Sequence, residues 1–280
     1  MKIEEVKKLS PLDRFIYWVR ERHNIFLRRR SGMPNPWTDD EILRSYRFCN
    51  VRRMNDKVSI WLLENWYKPY FNHPNMLYAV ALARFLNLPQ TLAEVGFPEV
   101  WNETAIKKAL YARKSRGDVT FNGAYIVRGG DGKDKIDGVV SYFVRPLVDD
   151  PPVINTNSME ETWGALRNRY GFGSFTAGQV VADLRWAMKG SWTDKMNWAP
   201  AGPGSIRGMN RLQSRPIGQV LTQDQFLSEL RCLMGTVIKK LPQVTSTLEC
   251  HDYQNCLCEF DKYERVLHTD RKLRTFKGTP

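Results

Sequence analysis

Residues 170–184 read YGFGSFTAGQVVADL, in which two glycines flank one phenylalanine and open into a helix-compatible run. A dinucleotide-binding fingerprint needs a preceding strand and a third glycine, and a P-loop needs Gly-Lys-Ser/Thr. The third glycine and the lysine are absent, and the preceding residues 158–169 have helical spacing. The stretch therefore predicts two helices joined by a glycine turn, either an ordinary αα-hairpin or a DNA-binding helix-hairpin-helix.

In a DNA-binding hairpin, the turn amides and the N-terminus of the second helix face outward and form an anion site. Gly171 and Gly173 allow the sharp turn and the close approach of a phosphate. Ser174 and Thr176 can cap the second helix or bind the same phosphate. These four residues are predicted DNA-phosphate contacts.

With Asp194 downstream, the hairpin resembles the helix-hairpin-helix DNA glycosylases, which carry an aspartate about one helix beyond the second glycine. The resemblance covers residues 158–200 and has three departures. Arg169-Tyr170 replaces the usual Leu-Pro, the aspartate lacks its Val-Asp-Thr-His setting, and Phe175 stands where members with lyase activity carry lysine. The resemblance implies a two-lobed fold and a monofunctional, water-using enzyme. Asp194 would be its catalytic carboxylate, stabilising oxocarbenium charge on the sugar.

The sequence carries 42 lysine and arginine residues against 30 aspartate and glutamate residues, with a net charge of +12 and a pI near 9.5. Such an excess predicts a polyanionic partner, first nucleic acid and second an anionic membrane surface. No basic helix with a clean apolar face is evident, so we expect no membrane partner. No apolar run reaches the roughly 20 residues that span a bilayer, and the charged N-terminus lacks a signal-peptide core, which predicts a cytoplasmic protein.

Five cysteines, an odd number in an intracellular chain, argue against a disulfide framework. Three of them, Cys250, Cys256 and Cys258, cluster in the stretch CHDYQNCLC. Their spacing differs from the four-cysteine iron–sulfur loop in which some glycosylases end, and three thiols are too few for it. We therefore expect neither a metal nor another cofactor.

Helical spacing and capping residues recur through most of the chain. The predicted helices cover residues 9–30, 38–49, 56–70, 75–85, 102–117, 158–169, 174–189, 204–214, 222–240 and 256–268. Between 118 and 150, β-branched and aromatic residues alternate with Asn-Gly, Gly-Gly and Asp-Gly pairs, which predicts an irregular or weakly β segment. The predicted fold class is mostly α. Its parts are an N-terminal helical lobe (1–117), a connecting segment (118–157), a helix-hairpin-helix lobe (158–268) and a basic tail (269–280).

Arginine-rich and Gly/Pro-rich segments supply further candidate phosphate contacts. Arg52 and Arg53 belong to a cationic run that can neutralise DNA phosphates or a substrate pyrophosphate, or form a solvated helix face. Residues 199–208 (APAGPGSIRG) are too rich in glycine and proline for a helix. Their exposed amides, with Ser205 and Arg207, suit an anion site.

Four residues are candidates for reading a flipped base. Asn122 and Tyr125, in FNGAY, can read and stack on it, or form a tight β-turn. Trp192 and Trp198 flank Asp194 and can line the base pocket, or pack in the core. The sequence leaves both pairs of alternatives open.

Other charged residues have an ambiguous pattern. Glu259, Asp261 and Lys262 lie within one helical turn, where they can form ion pairs or belong to a site. Asp183, in the middle of the second hairpin helix, rivals Asp194 as the catalytic carboxylate. We expect Asp183 to face an arginine or solvent.

Five segments carry a wider resemblance: IFLRRRSGMPNPWTDDEI (25–42), FCNVRRMNDKVS (48–59), FNGAYIV (121–127), TDKMNWAPAGPGSIRGMNRL (193–212) and CEFDKYERV (258–266). Together they resemble the phage and bacterial DNA-base hypermodification proteins called α-glutamyl/putrescinyl thymine pyrophosphorylases, over most of residues 20–268. This family is also described as the helical domain that accompanies hydroxymethyluracil DNA kinases. The chain has no P-loop, so kinase activity is not carried over.

The resemblance implies action on modified bases in double-stranded DNA, by a protein that we expect to be monomeric. The favoured hypothesis is a monofunctional glycosylase that flips and excises a hypermodified base, such as glucosylated hydroxymethylcytosine, from phage DNA as anti-phage defence. The alternative is a transferase that places an amino acid or polyamine on pyrophosphorylated 5-hydroxymethyluracil in DNA. A third hypothesis is a non-catalytic DNA-binding module.

Overall fold

The computed structural model describes residues 1–123, 129–130 and 133–269, and in these ranges the protein is mostly α-helical without a β-strand. The helices, numbered along the chain, are α1 (Ile3–Lys7), α2 (Pro11–Arg30), α3 (Glu41–Ser45), α4 (Lys57–Leu62), α5 (Met76–Leu86), α6 (Pro89–Val95), α7 (Glu103–Ser115), α8 (Lys135–Asp137), α9 (Arg145–Asp149), α10 (Met159–Arg167), α11 (Gly173–Ala187), α12 (Pro203–Leu212), α13 (Gln223–Lys240), α14 (Pro242–Thr245) and α15 (Cys250–Thr269). A 3₁₀ turn at Arg53–Asn55 and two π-helical segments, Leu63–Tyr67 and Gly138–Val144, lie between them. The mostly α fold class is confirmed. Not one of these helices combines the length and hydropathy that crossing a bilayer demands.

Most predicted helices form where their capping residues place them. Ser10 caps α2 through its side-chain oxygen, directly ahead of Pro11 at the first helical position. The N-cap of α3 is Asp40 rather than Thr38, because the Asp40 carboxylate accepts hydrogen bonds from two amides of the first turn. α15 begins at Cys250, more than a turn earlier than its spacing predicted.

The main difference concerns the segment 118–150. Its described residues before 135 are irregular, as predicted, but residues 135–149 form α8, a π-helical segment and α9. Val139 and Val140 are fully buried there, and the segment packs against α5. Helix propensities of β-branched residues are only slightly unfavourable, and tertiary packing overrides them. The pattern indicated burial correctly but not the backbone conformation.

The chain forms two compact units, which we call unit 1 (residues 1–56 and 196 onward) and unit 2 (residues 57–195). This division differs from the predicted lobes, which were bounded at residues 117 and 157. The reason is that α2 and α3 pack against α15, and α2 also packs against α12, so the two ends of the chain share one core. Contacts between segments so far apart in the sequence leave no local change of composition from which the boundaries of the units could be predicted.

α15 is the principal helix of unit 1. It is buried along nearly its whole length and packs against α2, α3, α12 and α13. Gly208 lets α12 approach closely, since a Cβ there would lie 2.2 Å from the carbonyl oxygen of Leu257. Phe15 of α2 meets Phe260 edge to face, with 5.3 Å between ring centroids.

α5 is the corresponding helix of unit 2, and every one of its residues is buried. It packs against α11 and the π-helical segment Gly138–Val144. Phe85 contacts the ring of Phe143 at 5.4 Å between centroids. The helix has one charged residue, Arg84, which pairs with Asp183 of α11.

Candidate functional site

Unit 2 contains the predicted hairpin, formed by α10, a turn and α11. The backbone of Gly171 (φ +84°) and Gly173 (φ +59°) is left-handed, a region that favours glycine. A Cβ at Gly171 would also lie 2.2 Å from the ring of Phe143. Both glycines are exposed, and Ser174 and Thr176 are partly exposed on the first turn of α11. The four residues are accessible together, and their binding to DNA phosphate stays a prediction.

Asp194 lies at the N-terminus of α10. Its carboxylate accepts hydrogen bonds from the Ser158 hydroxyl (2.9 Å) and from the amides of Met159 (2.9 Å) and Glu160 (3.0 Å). A negative charge in this position satisfies amides without helical partners and interacts favourably with the helix dipole. The contacts of Asp194 thus support helix capping, and its catalytic role stays a prediction.

The residues predicted to line a base pocket have different surroundings. Trp192, in unit 2, is 3 % exposed and Trp198, in unit 1, is 1 % exposed, so both rings are buried. Asn122 donates from Nδ2 to the carbonyl of Asn87 (2.9 Å), the residue that ends α5. Tyr125 lies outside the described residues.

In unit 1, two of the predicted phosphate contacts, Arg52 and Arg207, reach the surface, whereas Arg53 and Ser205 do not. Arg53 is 5 % exposed, and Ser205 is fully buried, where its hydroxyl accepts a hydrogen bond from the N-cap amide of α12 (3.1 Å). That helix begins at Pro203, next to the predicted helix start at 204, so the expectation that residues 199–208 are too rich in glycine and proline for a helix is wrong from this point. Proline fits there because first-turn amides have no intrahelical partner.

Three of the segments that carry the family resemblance meet along α15. The amide of Cys49 donates to Glu259 Oε2 (3.0 Å), which joins FCNVRRMNDKVS to CEFDKYERV. Asp40, in the most N-terminal segment, accepts a hydrogen bond from the Tyr263 hydroxyl (2.6 Å). We call the polar residues at this junction the α15 cluster: Arg22, Cys49, Asn50, Arg53, Asp56, His251, Asp252, Glu259 and Lys262.

Glu259, 6 % exposed, is the carboxylate that links the two segments. It accepts hydrogen bonds from Lys262 Nζ at 2.7 and 3.0 Å, besides that from Cys49. Burial lowers the pKa of Lys262, but the charge and hydrogen bond of Glu259 together with nearby Cys49 and Cys258 outweigh it, and the net pKa shift is upward. Arg22, also 6 % exposed, donates to the carbonyls of Cys49 (3.0 Å) and Phe48 (3.2 Å). Its Nη1 atom has no hydrogen-bond partner in the described part of the chain.

Asp56 is the titratable group of the cluster. Burial raises the pKa of Asp56 to about 6. Hydrogen bonds from Asn50 (2.8 Å from the amide, 3.0 Å from Nδ2) and the charges of Arg22 and Arg53 act in the opposite direction. A carboxyl group that titrates near neutral pH can accept a proton and release it again.

Arg53 connects this carboxyl group to the start of α15. Its amide donates to Asp252 Oδ1 (2.9 Å), and its Nη1 lies 3.1 Å from His251 Nε2. Because a guanidinium only donates, His251 Nε2 is the acceptor and the imidazole is neutral in this arrangement. The cluster therefore combines buried cations, buried carboxylates and one carboxyl group with a near-neutral pKa.

Burial disfavours the thiolate form of three cysteines around α15. Burial raises the pKa of Cys49 and Cys256 well above the ordinary range, and that of Cys258 to about 12. A thiol attacks as its thiolate, which such values suppress. Within the described ranges, no group of His, Cys, Asp and Glu side chains is arranged to hold a metal ion.

Sequence reasoning selected two arginines from FCNVRRMNDKVS and passed over Asn50 and Asp56, which bond to each other across the 3₁₀ turn between them. The burial of Glu259, in contrast, could have been predicted from the sequence. It lies on a helix between Leu257 and Phe260, so part of its surroundings had to be apolar. A charge in such a pattern indicates a buried, partnered group.

Comparison with known proteins gives one family and one relative. The family model described as "5-hmdU DNA kinase, helical domain" matches residues 10–273. A protein named 5-hmdU DNA kinase, from Bacillus phage SP10, is 25% identical over 299 residues, which cover 95% of this chain and 47% of the phage protein. The chain thus spans about half the length of the curated relative that it matches. No solved structure matches it.

Proposed function

We propose that this chain, which belongs to the family of the 5-hmdU DNA kinase helical domain, is a transferase of thymine hypermodification on DNA. The observation that carries the proposal is the extent of the family match, which includes all but a few terminal residues. The substrate would be pyrophosphorylated 5-hydroxymethyluracil in duplex DNA, and the second substrate an amino acid or a polyamine. The basic charge of the chain suits both the DNA and the pyrophosphate.

The proposed reaction is a substitution at the methylene carbon attached to C5 of the base. The amine nitrogen forms a bond to this carbon, the carbon–oxygen bond breaks, and pyrophosphate leaves with the electron pair. The nitrogen then gives up a proton. We assign this proton to Asp56, whose pKa of about 6 suits a general base. Lys262, the partly exposed cation of the α15 cluster, would stabilise the leaving pyrophosphate.

The glycosylase hypothesis has less support than this alternative. The names of the matched family and relative refer to a DNA kinase, and neither refers to base excision. The carboxylate that excision would require, Asp194, makes three hydrogen bonds at the start of α10.

A second candidate function is a non-catalytic domain that presents modified DNA to a separate enzyme. It is favoured by one observation, that the chain corresponds to 47% of the phage kinase and contains no P-loop. The partner in this case is the same, double-stranded DNA with 5-hydroxymethyluracil or its derivative.

The test is a reaction on a duplex oligonucleotide in which one 5-hydroxymethyluracil has been pyrophosphorylated with a 5-hydroxymethyluracil DNA kinase and ATP. The duplex is incubated with the chain and with separate amino acids and diamines. Nucleoside mass spectrometry should show an amine adduct, with one pyrophosphate released for each adduct. Asp56→Asn should lower the rate by about 10²-fold or more, as expected for loss of a general base. Asp224→Asn, an exposed carboxylate in the first turn of α13, is the matched control.

Two other outcomes would contradict the proposed transferase activity. Unchanged nucleoside masses together with tight binding of the duplex would favour the presenting domain. Alkali-labile abasic sites would restore the glycosylase hypothesis.

A further inference from the structure

Asp261 of α15 is a fully buried carboxylate that is shared by three arginines. It accepts hydrogen bonds from Arg207 Nε (2.9 Å) and Arg211 Nε (2.8 Å), both on α12, and Arg265 Nε lies 3.5 Å away. We call Arg207, Arg211, Arg265 and Asp261 the arginine patch. Two of these guanidinium groups, those of Arg207 and Arg211, share this one carboxylate, so the positive charge is in excess.

Two other arginine–carboxylate contacts of unit 1 are one to one. Arg14 uses Nε and Nη2 on the two oxygens of Glu264, and Arg215 uses both Nη atoms on Glu229. In the arginine patch, Arg207 and Arg211 use only Nε on Asp261. Among the described residues, their Nη atoms have no hydrogen-bond partner. The patch therefore holds excess positive charge and unused donors.

The geometry also fixes these donors in place. The side chains of Arg207 and Arg265 are 40% and 31% exposed, that of Arg211 is 10% exposed, and that of Asp261 is 1% exposed. A buried carboxylate that orients guanidinium groups from below reduces the conformational entropy that they lose on binding an anion. Arg207 and Arg211 lie four residues apart, about 6 Å along α12, so their charges form a row rather than a point.

We infer that the arginine patch is a contact surface for the phosphate backbone of double-stranded DNA. This inference rests on the proposed function only for the identity of the polyanion. A row of fixed guanidinium groups matches the repeated charges of a DNA strand, and each bound phosphate releases condensed counterions. The contact is independent of base sequence, since it uses no base edge.

The test measures binding of a fluorescent duplex by anisotropy at several salt concentrations. Arg207→Gln and Arg211→Gln should each weaken binding several-fold, and the double variant about ten-fold or more. Each substitution should reduce the slope of log K against log salt by about 1. Arg215→Gln, which removes the same charge from a one-to-one pair in the same unit, should change neither quantity.

A second measurement covers the case in which the double variant fails to fold. In the unaltered chain, DNA should protect Arg207 from modification by phenylglyoxal, read by mass spectrometry, while the exposed Arg20 of α2 serves as the reference. Equal modification of Arg207 with and without DNA would overturn the inference. So would a folded double variant with unchanged affinity and salt slope.

The results also separate this inference from the proposed function. A double variant that binds DNA normally but loses adduct formation would mean that the patch binds substrate pyrophosphate, which overturns the DNA contact. Salt-dependent binding through the patch without any amine adduct would uphold the contact and reject the transferase. Inorganic pyrophosphate as a competitor distinguishes these cases independently.

Discussion

The principal helices of the two units are both almost fully buried, but the side chains that they bury differ in kind. α5 of unit 2 reads MLYAVALARFL, with every residue buried and one charge, Arg84. α15 of unit 1 is buried to a similar degree but carries Asp252, Glu259, Asp261 and Glu264, all of which are 6 % exposed or less. α5 is thus buried almost wholly through apolar side chains.

The difference supports our proposal that α15 contributes to a site as well as to stability. A buried carboxylate must be paired and hydrogen-bonded to offset its lost hydration, and well-packed apolar residues are often as stable. Each acid of α15 is matched by a cation or a backbone amide from another segment. Such an arrangement places several charges in fixed positions, which a site for a phosphorylated substrate requires.

The largest effect is expected for the one ion pair of α5. Asp183→Asn leaves the buried guanidinium of Arg84 without its counter-charge, and should lower the free energy of unfolding by about 3–5 kcal/mol. Urea denaturation measures this change. Apolar replacement of the whole network, Arg84→Met with Asp183→Leu and Tyr67→Phe, should recover most of it. If the triple variant is as unstable as Asp183→Asn, the ion pair contributes more to the stability of unit 2 than the mutual compensation of its two buried charges.

The next largest effect is expected from the loss of apolar packing. The resulting decrease in the free energy of unfolding should be similar in α5 and α15. Leu82 of α5 and Leu257 of α15 are both fully buried, so truncation of either to alanine should lower the free energy of unfolding by about 3 kcal/mol. Thermal and urea unfolding give the two values, and Val100→Ala, at a position 81% exposed, is the control. A much smaller value for Leu257→Ala would mean that polar contacts, not apolar ones, hold α15.

Substitution of either hairpin glycine of unit 2 by alanine should lower the free energy of unfolding by a smaller amount, and the two positions can be compared directly. Both have positive φ, so alanine at Gly173 should cost about 1 kcal/mol through backbone strain alone. Alanine at Gly171 should cost about 2 kcal/mol more, because its Cβ would overlap the ring of Phe143. Equal melting temperatures for the two variants would show that Phe143 moves aside freely.

The smallest effect concerns the protonation of Asp56 in unit 1. Its folded-state pKa of about 6 lies above the ordinary aspartate value, so the folded state binds this proton more tightly than the unfolded state. The stability of the unaltered chain relative to Asp56→Asn should therefore fall as pH rises from 4 to about 6, and then level off. Because Asp56 retains partial contact with solvent, we expect a change of about 1–2 kcal/mol. A relative stability that rises with pH would show that Arg22 and Arg53 dominate over burial.

Local signals in the sequence were enough to place most helices. Ser10 with Pro11, and Asn102 with its side chain on the Ala105 amide, mark helix starts whose chemistry is complete within one turn. The glycine turn was predicted for the same reason, since positive φ at Gly171 and Gly173 is a local requirement.

Features that depend on distant residues were not predictable. The π-helical residues 138–144 form because α5 supplies an apolar surface, and the same valines would suit a strand elsewhere. Asp194 accepts a hydrogen bond at the start of α10, a contact between residues 35 apart in the sequence that no local pattern predicts. The contact of Cys49 with Glu259 joins residues 210 apart, a pairing that no periodicity encodes.

The discontinuity of unit 1 has a consequence for synthesis on the ribosome. Unit 2 is one continuous segment, so it emerges complete and is able to fold while translation continues. α2 emerges earlier, and until α15 is made Phe15 lacks Phe260, the ring that it meets edge to face. We expect nascent chains that stop before Cys250 to display this apolar face and to be retained by chaperones, even though their middle portion is already folded.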